Sequence, residues 1–215
     1  MKKIMSLLLL ALVLCQCNPT KSKKQPATPY DLHPEKFTTE YISQSAQKLI
    51  DYVPDHAFDP SIKPAFSEDY FKLLEEAWAI PVNDLMGIGE NEWLFYFMTG
   101  NGDCECTSHP KTILEATKVD DYNSYVKMNY IHQDHDIVMH FENDDWVIDN
   151  FDGTKDELIR YINDQRELLR SIDWPSYTQE MVEEMKEYMP EDEIIAWVDE
   201  FNAEVNVYFA KYPDK

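Results

Sequence analysis

The sequence predicts an α+β protein in which an antiparallel sheet lies between N-terminal and C-terminal helices. Two observations carry this prediction. Stretches of helical apolar periodicity occur before residue 81 and after residue 153, and the segment between 112 and 151 alternates as short strands do. Only turn residues separate these strands, which leaves no room for the crossover helices of a parallel sheet.

Two helices are predicted at the start of the domain. Residues 37–54 begin with a cap at Thr38 or Thr39 and end at Pro54, and the second helix begins after the cap Ser67 and ends at Pro81. The first has one apolar stripe, formed by Tyr41, Ile42, Ala46, Leu49, Ile50 and Val53. The stretch between the helices contains Pro60 and Pro64 and is predicted to be a loop.

Five strand-like runs follow. The first is the aromatic run NEWLFYFMTGNG, and the others are TILEATKV, NSYVKMNYIHQ, DIVMHFE and WVIDNF. Asp120-Asp121, residues 133–136 and residues 143–145 have the composition of turns.

Helical patterns return after the strands. Thr154 and Glu157 have the spacing of a capping box at the start of a helix that ends near Trp174. Two more helices are predicted over about 178–189 and 191–211. The last has an apolar stripe of Ile194, Trp197 or Val198, Phe201, Val205 and Tyr208.

The N-terminus has the pattern of an export signal. Lys2 and Lys3 precede an apolar run, Ile4 to Leu14, that is too short to span a bilayer. The run ends in LVLCQCNP, which resembles the lipobox of bacterial lipoproteins. The resemblance implies removal of residues 1–16, a diacylglycerol and a fatty acyl chain on Cys17, and outer-membrane anchoring facing the periplasm of a Gram-negative bacterium. Cys15 fits the lipidated position less well.

Four regions are predicted from this pattern. The signal peptide covers residues 1–16, and a flexible tether rich in Pro, Lys, Ser and Thr covers residues 17–36. The α+β domain covers residues 37–174, and a helical extension packed on that domain covers residues 175–215. The net charge of −22 excludes nucleic acid as a partner, because such a surface repels phosphates.

Three runs of the domain resemble a family of uncharacterised exported bacterial proteins. They are FSEDYFKLLEEA, VKMNYI and HDIVMHFENDDWVIDNFDGTKDELIRYI, with the W-x-I-D motif at Trp146, Ile148 and Asp149. The family is similar to the cystatin-like and nuclear-transport-factor-two-like folds. The resemblance implies a curved sheet wrapped around a helix as a cone with one open end, which hosts pockets, enzymes and binding modules alike. Some related exported domains are immunity proteins.

The histidines of YIHQDHDIVMHFE raise the question of a metal site. We expect a hairpin loop at Asp134-His135, which pairs His132 with Ile137 and Asn129 with His140. Three ligands do not converge easily from this register, so the sequence favours hairpins over a metal site.

The segment GNGDCECTSHP brings Cys104, Cys106 and His109 close together. A local disulfide can form in an exported protein, and the two thiols with the imidazole are also ligands for copper(I) or zinc. Free thiols are the third interpretation. A metal- or redox-active lipoprotein is therefore an alternative function.

The aromatic residues of the strand-like runs either pack in the core or form a surface for a ligand or partner. The candidates for that surface are Trp93, Phe95, Tyr96, Phe97, Tyr130 and Trp146. Asp149 is the best candidate for a catalytic base, but the chain contains no established catalytic motif. We therefore expect a lipid-anchored, non-catalytic binding domain for a protein partner or a small apolar ligand. A pocket enzyme of isomerase or hydrolase type is a further alternative.

Overall fold

The structure, a computed structural model, describes residues 26–55, 60–81, 111–130 and 133–213. It has a four-stranded sheet with helices on both sides of it in the sequence. The strands are β1 (Thr112–Lys118), β2 (Asn123–Tyr130), β3 (Gln133–Glu142) and β4 (Asp145–Phe151). They pair antiparallel in the order β1-β2-β3-β4, so the α+β class and the antiparallel sheet are confirmed.

The hairpin between β3 and β4 turns at Asn143 and Asp144. Both residues have positive φ, at 52° and 65°, and Glu142 pairs with Asp145 across them. Left-handed φ at both central positions is typical of the type I′ turn, which matches the twist of the flanking strands. Asn and Asp tolerate this conformation better than other non-glycine residues, and the turn predicted here is confirmed.

The register predicted for the β2–β3 hairpin is wrong. Tyr130 pairs with Gln133 and Met128 pairs with His135, so residues 131 and 132 connect the strands. His140 pairs with Asn123 and not with Asn129. The apolar residues of β3 decide this register, because Ile137, Met139 and Phe141 must all reach the core face.

Helix α2 (Thr39–Asp55) covers the core face of the sheet. Thr38 caps it, since the Tyr41 N–H donates to the Thr38 hydroxyl over 3.2 Å. Ile42, Ala46 and Ile50 of the predicted stripe are buried, and Tyr41 and Leu49 pack beside them. The residues facing the helix from the sheet are also buried: Val126, Met128, Ile137, Met139, Trp146 and Ile148. Side chains therefore fill the space in which the predicted cone would hold a ligand.

Residues 60–65 form a 3₁₀ helix, Pro60–Ala65, where the sequence predicted an irregular loop. Proline is tolerated in so short a helix because few of its N–H groups have an internal partner. It leads into α3 (Glu68–Ala79), whose predicted cap is confirmed, since Ser67 accepts from the Tyr70 N–H. The Ser67 N–H also donates to the Ile148 carbonyl over 2.8 Å, which joins this segment to β4.

A β-bulge shifts the pairing of β4 with β3 by one residue. Met139 pairs with Ile148 and Val138 with Asn150, which leaves Asp149 as the extra residue. Trp146, Ile148 and, after the bulge, Phe151 are all buried. Strict alternation from Val147 through Asp149 to Phe151, which the sequence suggested, is therefore interrupted.

Three helices complete the chain: α4 (Thr154–Ser171), α5 (Trp174–Met185) and α6 (Glu191–Lys211). Helix α4 packs on α3, and α5 packs on α6. The predicted stripe of α6 is confirmed, with Ile194, Val198, Phe201, Val205 and Tyr208 buried.

The capping box predicted at Thr154 and Glu157 is not formed. The N-cap of α4 is Gly153, with a φ of 75° and no side chain to cap with. The Thr154 hydroxyl instead hydrogen bonds with the Tyr70 hydroxyl over 2.6 Å, and the Lys155 N–H donates to Asn150 Oδ1 over 3.1 Å. Tertiary partners replace the local cap.

The predicted tether ends earlier than residue 36. Thr28 caps the short helix α1 (Pro29–Leu32) and a 3₁₀ helix follows at Pro34–Phe37. We call Thr28–Phe37 the N-terminal arm. Its Phe37 is buried against Phe141 and Trp146, with ring centres 4.8 and 5.0 Å apart. Trp146 Nε1 donates to the Lys36 carbonyl over 2.7 Å, so the arm belongs to the folded domain.

Candidate functional site

A cleft of about 760 Å³ lies between α3, α4 and the C-terminal end of α6. Ile159, Ile162, Asn163 and Arg166 line it from α4, and their spacing places them on one face of that helix. Leu73 faces them from α3. Its volume falls within the range of small-molecule sites, and its lining combines these aliphatic side chains with charged ones.

The charged residues of the cleft differ from those of the protein as a whole. Lys72, Arg166 and Lys211 line it together with Glu75 and Glu76, which is three cations against two carboxylates. The whole chain has a net charge of −22. Counted with Glu68, which pairs with Lys72 at the rim, the cleft is close to neutral within an acidic protein, so an anionic group meets less repulsion there than the net charge implies.

A buried ion pair forms one side of the cleft. Arg166 Nη1 donates to Glu76 Oε1 over 2.5 Å, and Arg166 Nη2 donates to the Tyr212 carbonyl over 2.8 Å. The Tyr208 hydroxyl donates to the same Glu76 oxygen over 3.3 Å. Burial and the neighbouring Glu76 carboxylate raise the pKa of Tyr208 above its ordinary value, so Tyr208 stays a donor. These bonds hold α3, α4 and the end of α6 together.

One salt bridge, one hydrogen bond and one cation–π contact set the rim. Lys72 lies 2.7 Å from Glu68 one turn earlier on α3, and this bond raises the pKa of Lys72. The Tyr212 hydroxyl donates to the Glu75 carbonyl over 3.3 Å, and Lys211 lies over the Tyr212 ring. Lys72 and Lys211 are both on the open side of the cleft and remain charged at neutral pH.

Sequence reasoning did not find this site. The one signal was Arg166, which stands on the apolar stripe of α4 between Ile162 and Leu169 and is itself buried. A charged residue at a core-facing position requires a buried partner of opposite charge. The partner, Glu76, is 90 residues away in the sequence, so no local pattern identifies it.

His135 and Asp152 form an acid–base pair between β3 and the turn before α4. His135 Nδ1 lies 2.6 Å from Asp152 Oδ2, and Asp152 Oδ1 accepts from the Asp136 N–H over 2.6 Å. The hydrogen bond to Asp152 raises the pKa of His135, although partial burial opposes it. The pair joins β3 to the turn before α4, and the Asp152 N–H donates to the Asp136 carbonyl as well. This arrangement fits a structural tie.

Asp149, the predicted candidate base, is hydrogen-bonded to a serine and a lysine. It accepts from Ser67 Oγ over 2.5 Å and from Lys155 Nζ over 2.8 Å. Burial alone would raise the pKa of Asp149, but these two hydrogen bonds outweigh burial and lower it. An ionised carboxylate that already holds a cation and a hydroxyl is a weak base, so the network connects the bulge to α3 and α4.

The two predicted surface aromatics in the described residues are core residues. Trp146 is 1% exposed, and Tyr130 is buried near His135. The prediction that Trp146 and Tyr130 form an exposed partner surface is therefore wrong. The arm covers Trp146, since Phe37 packs against its ring.

The other predicted site residues lie outside the described residues. These are Cys17, Cys104, Cys106 and His109, together with Trp93, Phe95, Tyr96 and Phe97. Within the described ranges, no group of three His, Cys, Asp or Glu side chains is placed to hold a metal ion. His135 and His140 lie on opposite faces of β3, and His140 bonds with Asn123 instead.

Fold and cleft together define an α+β protein with an antiparallel meander and, among its helices, a cleft lined by both aliphatic and charged side chains. No family model, no curated protein and no solved structure matches the chain. Among the described helices, none has the length and apolar character to cross a bilayer.

Proposed function

We propose that this protein is an exported, lipid-anchored binding protein that carries out no reaction and takes a small, mainly apolar ligand with an anionic group into the cleft. The observation that carries the proposal is the cleft itself. It combines aliphatic side chains with the three cations Lys72, Arg166 and Lys211 in a strongly acidic chain.

The aliphatic side chains and the charged side chains of the cleft would contact different parts of the ligand. Leu73, Ile159 and Ile162 offer an apolar surface for a hydrocarbon or aromatic body. Lys72 and Lys211 stand at the rim with ammonium groups that attract a carboxylate or a similar anion. A volume of about 760 Å³ accommodates a ligand of this kind.

The bonding of the cleft supports binding over catalysis. The Glu76 carboxylate accepts from Arg166 and from Tyr208, and the guanidinium of Arg166 donates to Glu76 and to the chain at Tyr212. A general acid or base must reach the reacting group of a substrate with a proton or a free lone pair. Groups fixed by these internal bonds shape the cleft and set its charge.

The envelope location in this proposal rests on the N-terminal sequence. The apolar run and the cysteines of LVLCQCNP support export and lipid attachment at Cys17. A lipid-anchored binding protein would present its cleft to the compartment in which its ligand moves.

A fluorescent probe with an apolar body and an anionic group tests the proposal. We expect 8-anilinonaphthalene-1-sulfonate to bind the folded protein with one site and enhanced emission. Ile159→Glu places a carboxylate in the cleft wall and should weaken the probe's binding by about tenfold or more, through charge repulsion and lost apolar contact.

Ile195→Glu is the matched control, because Ile195 is 37% exposed on α6 and Ile159 is 41% exposed on α4. Ile195 does not line the cleft. Circular dichroism shows whether both variants keep the fold. Equal weakening by the two substitutions, or none by Ile159→Glu, would exclude the cleft as the binding site.

A further inference from the structure

Exposed apolar side chains gather where the N-terminal arm packs on the sheet. Tyr30 and Leu32 of α1 are exposed, and so is Val119 in the connection between β1 and β2. Lys118 Nζ lies 3.6 Å from the centre of the Tyr30 ring, which brings this connection against the arm. Large exposed apolar residues are usually scattered singly, so three on two contacting segments need a reason.

The arm holds this surface in a fixed position. Phe37 is buried, and Trp146 Nε1 donates to the carbonyl of Lys36. His33 lies 3.5 Å from the Asp144 carboxylate, at the turn between β3 and β4. The chain that comes from the N-terminus therefore joins the domain at this end of the sheet.

The length of that chain limits how far the surface can lie from residue 17. Pro26, where the described part of the chain begins, is about nine residues on from Cys17. At no more than about 3.3–3.6 Å per residue, the chain between them reaches about 30 Å. An anchor at Cys17 therefore keeps Tyr30, Leu32 and Val119 close to the leaflet, at an effective concentration on the order of mM. Even a weak contact is populated at such a concentration.

We propose that Tyr30, Leu32 and Val119 rest in the headgroup region of the bilayer that holds the lipid anchor. The inference rests on the lipid anchor of the proposed function and does not depend on the cleft. Tyrosine with aliphatic neighbours suits the boundary between water and hydrocarbon.

The charges at this end favour a bilayer rich in zwitterionic lipid. Asp121 lies 2.9 Å from Lys118, and Asp144 lies near His33. Asp31 accepts from the Thr28 N–H over 2.9 Å. These carboxylates have partners within the protein and would repel a strongly anionic surface.

Depth-dependent quenching in the lipidated protein tests this contact. A genetically encoded, environment-sensitive fluorescent amino acid replaces Val119 in one sample and Val207 in another. Val207 is the matched control, a valine that is 69% exposed on α6, against 65% for Val119. The full-length mature protein is incorporated into vesicles of phosphatidylethanolamine and phosphatidylglycerol that contain a lipid with a nitroxide on its headgroup.

We expect the label at position 119 to shift its emission to the blue and to be quenched several-fold more strongly than the label at position 207. Mass spectrometry of the same sample reads the lipid on Cys17. A lipidated protein with equal quenching at both positions overturns the contact alone, and absence of the lipid overturns the anchor and the contact together. A blue shift at position 119 that appears without vesicles, as the protein concentration rises, would assign the surface to a second protein copy and contradict the proposal.

Discussion

Replacement of Arg166 by methionine should destabilise the protein by about 3 kcal/mol. The side chains of Arg166 and Glu76 are only 11% and 19% exposed. Removal of one partner from a buried ion pair leaves the other charge uncompensated, which typically costs about 3–5 kcal/mol. We take the lower end because one fifth of Glu76 still faces water. Methionine fills a similar volume, so little of the effect comes from a cavity.

Urea unfolding followed by far-ultraviolet circular dichroism measures this cost. Arg160→Met is the matched control on the same helix. Arg160 is 74% exposed and lies 4.0 Å from a Glu157 oxygen, so its loss should cost no more than about 0.5 kcal/mol. The double variant Arg166→Met with Glu76→Met should regain most of the loss, because both charges are then absent.

Two results would refute this reasoning. One is a cost for Arg166→Met no larger than that of Arg160→Met, which would mean that the pair is solvated in solution. The other is a double variant no more stable than the Arg166→Met variant, which would locate the cost in packing and not in the uncompensated carboxylate.

Three further changes have defined outcomes. The hydrogen bond to Asp152 raises the pKa of His135 above 6.5, so this bond stabilises the fold fully below about pH 6.5, and the stabilisation is lost as the pH rises through the folded-state pKa. Asp152→Asn should therefore flatten this part of the curve of unfolding free energy against pH. An unchanged curve would contradict the role of the His135–Asp152 bond. Trp146→Ala should cost about 3–5 kcal/mol in urea unfolding, because the ring is buried in the core, whereas a surface aromatic would leave stability unchanged. Ser67→Ala removes the α3 cap and a donor to Asp149, and should cost about 1–2 kcal/mol in the same assay; a loss within error would show that neither bond matters.

The sequence predicted the elements whose signals are local. The stripes of α2 and α6 are periodic over several turns, and Ser67 caps α3 as expected because the cap and the N–H that donates to it are three residues apart. The four strands from Thr112 to Phe151 were also found, since each shows alternation or is a short β-rich run between turn residues.

Elements that depend on distant partners were predicted less well. Polar residues at 134 and 135 suggested a turn, but burial of Ile137, Met139 and Phe141 places the turn before Gln133. Thr154 had the pattern of a cap, yet its hydroxyl bonds with Tyr70, 84 residues earlier. The arm has a polar composition typical of a tether, and Phe37 alone signalled that it docks.

The candidate site was not predictable because its parts come from three helices. Ile159 and Ile162 belong to α4 and Leu73 to α3, while Lys211 and Tyr212 close the cleft from the end of the chain. Each helix shows its own apolar stripe in the sequence. The opening between the helices depends on how their ends meet, which the buried pair of Arg166 and Glu76 decides.

Calorimetric titration with two amphiphiles of the same chain length tests the binding proposal most directly. Decanoate carries an anionic group, and decyltrimethylammonium carries a cationic one. A chain with a net charge of −22 attracts cations over its surface as a whole, so a preference for the anion must come from the cleft. We predict saturable binding of decanoate at one site, weakened by Ile159→Glu. Tighter binding of the cationic amphiphile, or no saturable binding of decanoate, would contradict the proposal.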